Sequence, residues 1–144
     1  MRIKPGLEAK VAWLEGRSGE TLATRMGVRF TVYDTERTEA TMPVGPGTVQ
    51  PFGLLHGGAS VALAESLASV GAWLNVDEAV ADVVGMEINA NHLRAVTGGT
   101  VTGAATPIHR GRNSQVWEIR ITDEQDRLVC ISRCTLAVIP KRST

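Results

Sequence analysis

Several features that would direct a functional assignment are missing from this sequence of 144 residues. Fifteen Lys and Arg residues balance fifteen Asp and Glu residues, so no excess charge attracts a nucleic acid or a membrane surface. No apolar run approaches the roughly 18–20 residues of a membrane span, and the first ten residues lack the apolar stretch of a signal peptide. We therefore expect a cytoplasmic protein without nucleic-acid or membrane partners.

Cysteines and cofactor motifs are also scarce. The two cysteines, Cys130 and Cys134, would lie about 13 Å apart on a strand and could not pair with each other. We interpret them as small buried hydrophobic residues in a reducing compartment. The histidines are too scattered for a metal site. Neither the G-x-S-x-G motif of serine hydrolases nor a G-x-G-x-x-G dinucleotide motif is present, so we expect no metal and no cofactor.

The pattern of apolar residues predicts one long helix among many strands. A chain of this length is expected to form one domain, residues 1–144. Helices are predicted at 5–16, 18–27 and 58–74, the second from Ser18 as N-cap candidate and Gly27 as stop. Strands are predicted at 28–35, 38–44, 83–93, 100–106, 115–121 and 128–139, with a basic loop at 107–113. Alternation supports 28–35 and 115–121, and the segment 128–139 is apolar on both faces, as in a central strand. A long helix followed by hairpin-linked strands predicts an α+β fold, with an antiparallel sheet and the single long helix packed across it.

The long helix carries one acidic residue, Glu65, on an otherwise small and apolar face. A stripe about 60° wide is predicted to face the sheet: Leu63, Leu67, Val70 and Leu74. Small residues share the side of Glu65: Val61, Ala62, Ala68, Ser69 and Ala72. A solvated helix face seldom has so little charge, so we expect a loop, a ligand or a second subunit to cover it. The carboxylate then either pairs with a basic or amide group at a subunit contact or takes part in chemistry.

The His-Gly-Gly sequence at 56–58 precedes this helix. The first N–H groups of a helix have no internal partner and lie at its positive end, so the Gly57 N–H is suited to stabilising an oxyanion. Glu65 follows two turns later, with Ser69 one turn beyond it and Gln50 in the preceding loop. We expect these groups to converge on one point, an arrangement suited to acyl transfer to water.

The segments QPFGLLHGGASVALAES, VGMEINANHLR and IHRGRNSQVWEIRITDEQDRLVCISR resemble the hotdog-fold acyl-CoA thioesterases. The resemblance runs from about Met26 to Pro140 and is to the branch with a catalytic Glu on the central helix. It implies an antiparallel sheet wrapped around one long central helix. It also implies hydrolysis of an aromatic or related acyl-CoA, as in the thioesterases of menaquinone synthesis (1,4-dihydroxy-2-naphthoyl-CoA) and enterobactin proofreading, or of a hydroxybenzoyl-type thioester. A homo-oligomer follows: a dimer with active sites at its interface, assembled into a tetramer.

The resemblance also implies a set of site residues. Glu65 acts as nucleophile or as general base, and Gly57 supplies the oxyanion N–H. Gln50 and His56 position the thioester and the water, and Ser69 helps to place the water. The residues implied to line the CoA or acyl site are Val84, Asn91, His92, Leu93, Arg94, Ile108, His109, Arg110, Gly111, Arg112 and Asn113.

Other interpretations remain open. The basic loop suits the phosphates of CoA, but an ordinary solvated hairpin loop has the same composition, and His92 alone is typical of a hydrogen-bonded core histidine. A non-catalytic acyl-CoA-binding domain would not need Gln50 and Glu65 together. A hotdog hydratase or dehydratase would pair the carboxylate with His56. An acyl or aryl carrier protein is an alternative source of the thioester.

Overall fold

Seven strands and three helices form the part of the chain that the structure, a computed structural model, describes, residues 1–141. In chain order they are β1 (Arg2–Ile3), α1 (Glu8–Glu15), α2 (Leu22–Arg25), β2 (Arg29–Tyr33), β3 (Thr38–Pro43), α3 (Gly57–Leu74), β4 (Ala81–His92), β5 (Thr100–Arg110), β6 (Ser114–Thr122) and β7 (Leu128–Pro140).

One sheet contains all seven of these strands, in the order β1-β2-β3-β5-β6-β7-β4. Every neighbouring pair is antiparallel except β1 and β2, which are parallel. The long helix α3 contacts five of the strands. The predicted α+β fold, a mostly antiparallel sheet with one packed helix, is therefore confirmed. None of the helices in the described chain has the length and apolar character needed to cross a membrane.

Helix α3 is buried against the sheet along much of its surface. Leu63 and Leu67 are fully buried and Leu74 is 3% exposed, as the helical spacing predicts. Ala68 and Ala72 are also fully buried in this core, so the core of the chain itself, rather than the expected loop, ligand or second subunit, covers this part of the Glu65 side. Small residues here let the strands approach closely, because a Cβ atom on Gly71 would lie 2.7 Å from the Trp117 ring.

Strand β4 forms an open edge of the sheet. Within residues 1–141 it pairs only with β7, along eleven register positions. Gly85 is opposite Leu136 while Glu87 is opposite Thr135, so Met86 is the extra residue of a β-bulge. Met86 is 66% exposed, so the strand departs from simple alternation at this residue.

Three local predictions are corrected. Strand β5 continues to Arg110, so the basic loop shortens to residues 111–113. A bulge between Pro107 and His109 lets the strand accommodate a proline, which cannot donate to the ladder. The second helix is shorter than the predicted 18–27: it spans Leu22–Arg25, and Thr21 caps it through a capping box with Thr24. The short parallel strand β1 has no local signal in the sequence.

Candidate active site

The N-terminus of α3 presents an unused backbone donor. His56 is the N-cap, and its Nδ1 accepts the Gly58 N–H at 2.8 Å. The His56 N–H itself donates to the Thr48 carbonyl at 2.8 Å. In the described chain the Gly57 N–H has no acceptor, as expected for the first position of a helix. This N–H lies at the positive end of an 18-residue helix, where it can stabilise negative charge on a substrate oxygen.

A cleft of about 390 Å³ opens in front of this donor. Its lining residues are Gln50, Leu54, Leu55, Gly57, Ser60, His92, Leu93, Arg94, Ala95 and Val129. A Cβ atom at position 57 would lie 2.9 Å from His92 Nε2, so the histidine ring packs directly against Gly57. The structure thus brings together five of the predicted site residues: Gln50, Gly57, His92, Leu93 and Arg94.

Gln50 is held by the turn that precedes α3. Its N–H donates to the Leu54 carbonyl at 2.8 Å, and its carbonyl accepts the Gly53 N–H at 2.9 Å. The side-chain Oε1 accepts the Phe52 N–H. The amide nitrogen is therefore the part of the side chain left to donate a hydrogen bond in the cleft.

Glu65 lies outside this cleft. Eight helical residues separate it from Gly57, which is about 12 Å along the axis. Its carboxylate lies against strand β4, because a Cβ atom on Gly85 would be 2.6 Å from Glu65 Oε1. Within one chain, therefore, Glu65 and the Gly57 N–H do not converge on one point, contrary to the prediction. Ser69 lies half-buried one turn beyond Glu65 and is not among the residues that line the cleft.

Comparisons with known proteins place the chain in a family. The family model described as "Thioesterase superfamily" matches residues 52–130. The chain belongs to the thioesterase superfamily. It is 52% identical over 114 residues to the 1,4-dihydroxy-2-naphthoyl-CoA hydrolase of Escherichia coli K12, covering 79% of this chain and 83% of that one. It is 50% identical over 126 residues to the proofreading thioesterase EntH of Cronobacter turicensis, covering 88% and 91%.

Solved structures agree with this assignment. The crystal structure of thioesterase HI1161 from Haemophilus influenzae superposes with a TM-score of 0.84, at 48% identity and 88% coverage of both chains. A mutant of thioesterase PA1618 from Pseudomonas aeruginosa gives 0.86, at 45% identity and 96% coverage of both. The predicted resemblance to hotdog-fold thioesterases is confirmed, and the chain is a thioester hydrolase.

The predicted basic segment of this thioesterase lies near the other end of α3. Arg110 donates to Glu36 Oε1 at 2.6 Å and to Oε2 at 3.1 Å, and also to Asn75 Oδ1 at 3.0 Å. Asn75 is the C-cap of α3, about 27 Å along the axis from the Gly57 end. The hydrogen bonds from Arg110 lower the pKa of Glu36. Arg110 thus joins three elements of the fold, and its predicted contact with CoA stays a prediction.

The remaining predicted site residues of the thioesterase are spread over the surface. Arg112 has no ion-pair partner within residues 1–141, and it is the exposed cation of the 111–113 turn. The His109 ring packs on Gly111, where a Cβ atom would lie 2.6 Å from Nε2. Asn91 and Ile108 line a separate surface cavity of about 330 Å³. Val84 is 44% exposed on β4.

Two structural features of the candidate site were not predicted from the sequence. One is the contact between Gly85 and Glu65, although a glycine inside a strand is a known signal of a bulge or a close approach. The other is the burial of Ser60, which is 1% exposed in the cleft wall. In the described chain no three His, Cys, Asp or Glu side chains lie close enough to hold a metal ion.

Proposed function

We propose that this thioesterase hydrolyses an aromatic or related acyl-CoA, in active sites that two copies of the chain share. The proposal rests on the separation of the two proposed catalytic groups within one chain. The oxyanion donor Gly57 lies in the cleft at one end of α3, whereas Glu65 lies about 12 Å away along the helix axis. In a single copy, therefore, neither Gly57 nor Glu65 has the other group beside it, and no complete site forms.

The open edge of β4 supports pairing of two copies. An exposed edge strand offers a row of free backbone donors and acceptors, and two-fold pairing uses the same edge on both partners. Within one chain, Gly85 of β4 contacts Glu65, and His92 at the end of β4 contacts Gly57. Antiparallel pairing about an axis near Ile88 and Asn89 brings Gly85 opposite His92 of the partner subunit. Glu65 then lies beside Gly57 of the partner subunit, which completes two equivalent sites.

The chemistry follows from these groups. The Gly57 N–H binds the thioester oxygen and stabilises the oxyanion that forms on attack. The Glu65 carboxylate of the other copy either attacks the carbonyl carbon, giving an anhydride that water then hydrolyses, or removes a proton from the attacking water. In both routes the thiolate of CoA leaves and takes up a proton. Gln50, His56 and Ser69 place the thioester and the water.

Cationic and apolar groups support an acyl-CoA substrate. Arg94 in the cleft wall and exposed Arg112 are suited to the phosphates of CoA. Leu54, Leu55 and Val129 provide apolar surface in the same cleft. The relative from Escherichia coli is named as a hydrolase of 1,4-dihydroxy-2-naphthoyl-CoA, which supports an aromatic acyl group. CoA is part of the substrate, and the reaction needs no cofactor.

A thiol-release assay over a panel of acyl-CoA and acyl-carrier-protein thioesters tests the proposal. We expect the highest kcat/KM for aromatic acyl-CoA thioesters, and a loss of about 10²–10⁴ in rate for Glu65→Gln. Glu20→Gln, at an exposed carboxylate remote from β4, is the matched control. Full activity of Glu65→Gln on every thioester would refute the mechanism.

The same panel separates the alternatives. Binding of acyl-CoA without thiol release would identify a non-catalytic domain, and addition of water to an enoyl-CoA would identify a hydratase. Faster turnover of a carrier-protein thioester would identify that partner. Light scattering at assay concentration tests the assembly: we expect a dimer or a tetramer of two dimers, and a stable monomer with full activity would contradict shared sites. The expected compartment is the cytoplasm.

A further inference from the structure

Strand β4 has a recess at the point where Glu65 reaches it. A Cβ atom at position 85 would lie 2.6 Å from Glu65 Oε1, well inside van der Waals contact. Any side chain larger than hydrogen at this position would have to displace the carboxylate. Burial and, to a lesser degree, the nearby charges of Glu65 and Glu87 raise the pKa of Cys134 to about 11, which agrees with a carboxylate held close to the β4–β7 ladder.

The bulge enlarges this recess. The residues of β4 that face α3 are Val83, Gly85, Ile88, Ala90 and His92. Residues facing one side of a strand normally recur every second position, but three positions separate Gly85 from Ile88. The register shift leaves Met86 as the extra residue and turns it outward to 66% exposure. The missing Cβ and the bulge together leave a gap in the helix-facing row where the carboxylate fits.

We propose that Gly85 is a positioning residue for thioester hydrolysis, which holds the Glu65 carboxylate in its catalytic direction. The inference rests on the proposed function of Glu65. A Glu side chain on an open helix face samples several rotamers, whereas contact with the β4 backbone restricts the carboxylate to one region. A displacement of about 1 Å at a reacting group costs on the order of 10²-fold in rate, so a fixed carboxylate has a direct kinetic consequence.

Gly85→Ala tests the proposal. The added methyl group displaces the carboxylate, and we expect kcat to fall about 10- to 100-fold while KM changes less than about threefold, because CoA contacts are untouched. Gly98→Ala is the matched control, since a Cβ atom there has nothing within 4 Å. A Gly85→Ala variant with the kcat of the wild type would overturn the inference, as would an effect confined to KM.

A double-mutant cycle separates positioning from a general structural effect. If Gly85 acts through the carboxylate, Gly85→Ala lowers the residual rate of Glu65→Gln by less than about twofold. Equal losses in both backgrounds would overturn the inference. A different result would refute the proposed function: Glu65→Gln alone would retain full turnover. That result does not depend on the activity of Gly85→Ala.

A measurement that keeps Gly85 does not depend on how Gly85→Ala folds. With ¹⁵N-glycine labelling, the Gly85 amide signal should move in Glu65→Gln, because the charged group that contacts the β4 backbone is replaced by a neutral one. The Gly98 amide, at a position where a Cβ atom would have nothing within 4 Å, should keep its shift in the same variant. A Gly85 signal unchanged by Glu65→Gln would overturn the inference.

Discussion

Replacing Gly57 by proline removes the proposed oxyanion donor with little other change. Proline is favoured at the first position of a helix because the N–H there has no internal acceptor. The preceding residue, His56, has φ −70° and ψ 129°, a conformation that a residue before proline readily adopts. We expect kcat of Gly57→Pro to fall about 10²- to 10³-fold, the cost of one lost oxyanion donor.

Gly57→Ala is the control for this substitution. Both variants place a Cβ atom 2.9 Å from His92 Nε2, where the end of a flexible side chain can give way, but only alanine keeps the N–H. We therefore expect Gly57→Ala to retain much more activity than Gly57→Pro. Equal loss in the two variants would assign the effect to the histidine contact and refute the oxyanion role.

A mixture of Gly57→Pro and Glu65→Gln chains measures whether the site is shared. Each shared site draws Gly57 from one copy and Glu65 from the other, so random exchange leaves about one-quarter of the sites with both native groups. We expect two nearly inactive variants, unfolded and refolded together, to regain about one-quarter of the wild-type kcat in thiol release. Each variant refolded alone provides the baseline.

The same mixture can refute shared sites outright. If one chain supplied both groups, every site would carry one defect, and the mixture would only average the two parents. Co-purification through different tags on the two variants establishes that mixed oligomers have formed. Mixed oligomers without recovered activity would disprove the pairing of Glu65 with Gly57 of the partner subunit.

Three further predictions concern the fold around the site. Burial raises the pKa of Cys134 to about 11, so a thiol reagent at pH 8 should modify it only after denaturation. Leu67 is fully buried in α3, so Leu67→Ala should lower the free energy of unfolding, measured by urea denaturation, by about 2–5 kcal/mol. The control Leu22→Ala, at a side chain that is 67% exposed, should lower it by less than about 0.5 kcal/mol. The hydrogen bonds of Arg110 lower the pKa of Glu36. The ionised carboxylate therefore stabilises the fold at neutral pH, and this contribution is lost as pH falls through the lowered pKa. The difference in Tm between wild type and Glu36→Gln should accordingly shrink from pH 6 to pH 3.

Much of the fold could be predicted from the spacing of apolar residues. The helical spacing at 57–74, the alternation in β2 and β6 and the apolar run of β7 are local signals, and each matches an observed element. The parallel pairing of β1 with β2 and the faces of β4 depend on non-local register. A bulge moves every later side chain relative to the partner strand, and an alternation pattern alone does not reveal where it occurs.

Candidate residues of the site could be named from the sequence, but their distances could not be judged from it. A spacing of about two helical turns was the reason to place Gly57 and Glu65 in one site. At about 1.5 Å per residue, those two turns separate the groups by about 12 Å, more than a Glu side chain can cover. The proposed pairing, in which one copy supplies Gly57 and the other Glu65, accounts for this distance.

Strand β4 contacts both groups of the proposed shared site. Its His92 packs against Gly57 and its Gly85 against Glu65, so the strand at the open edge of the sheet touches both proposed catalytic groups. An error in the register of two paired β4 strands would therefore misplace the carboxylate relative to the oxyanion donor by about 3.3 Å per residue. Since about 1 Å already costs on the order of 10²-fold in rate, we expect a slip of one residue in the proposed pairing to lower kcat as severely as the loss of Glu65.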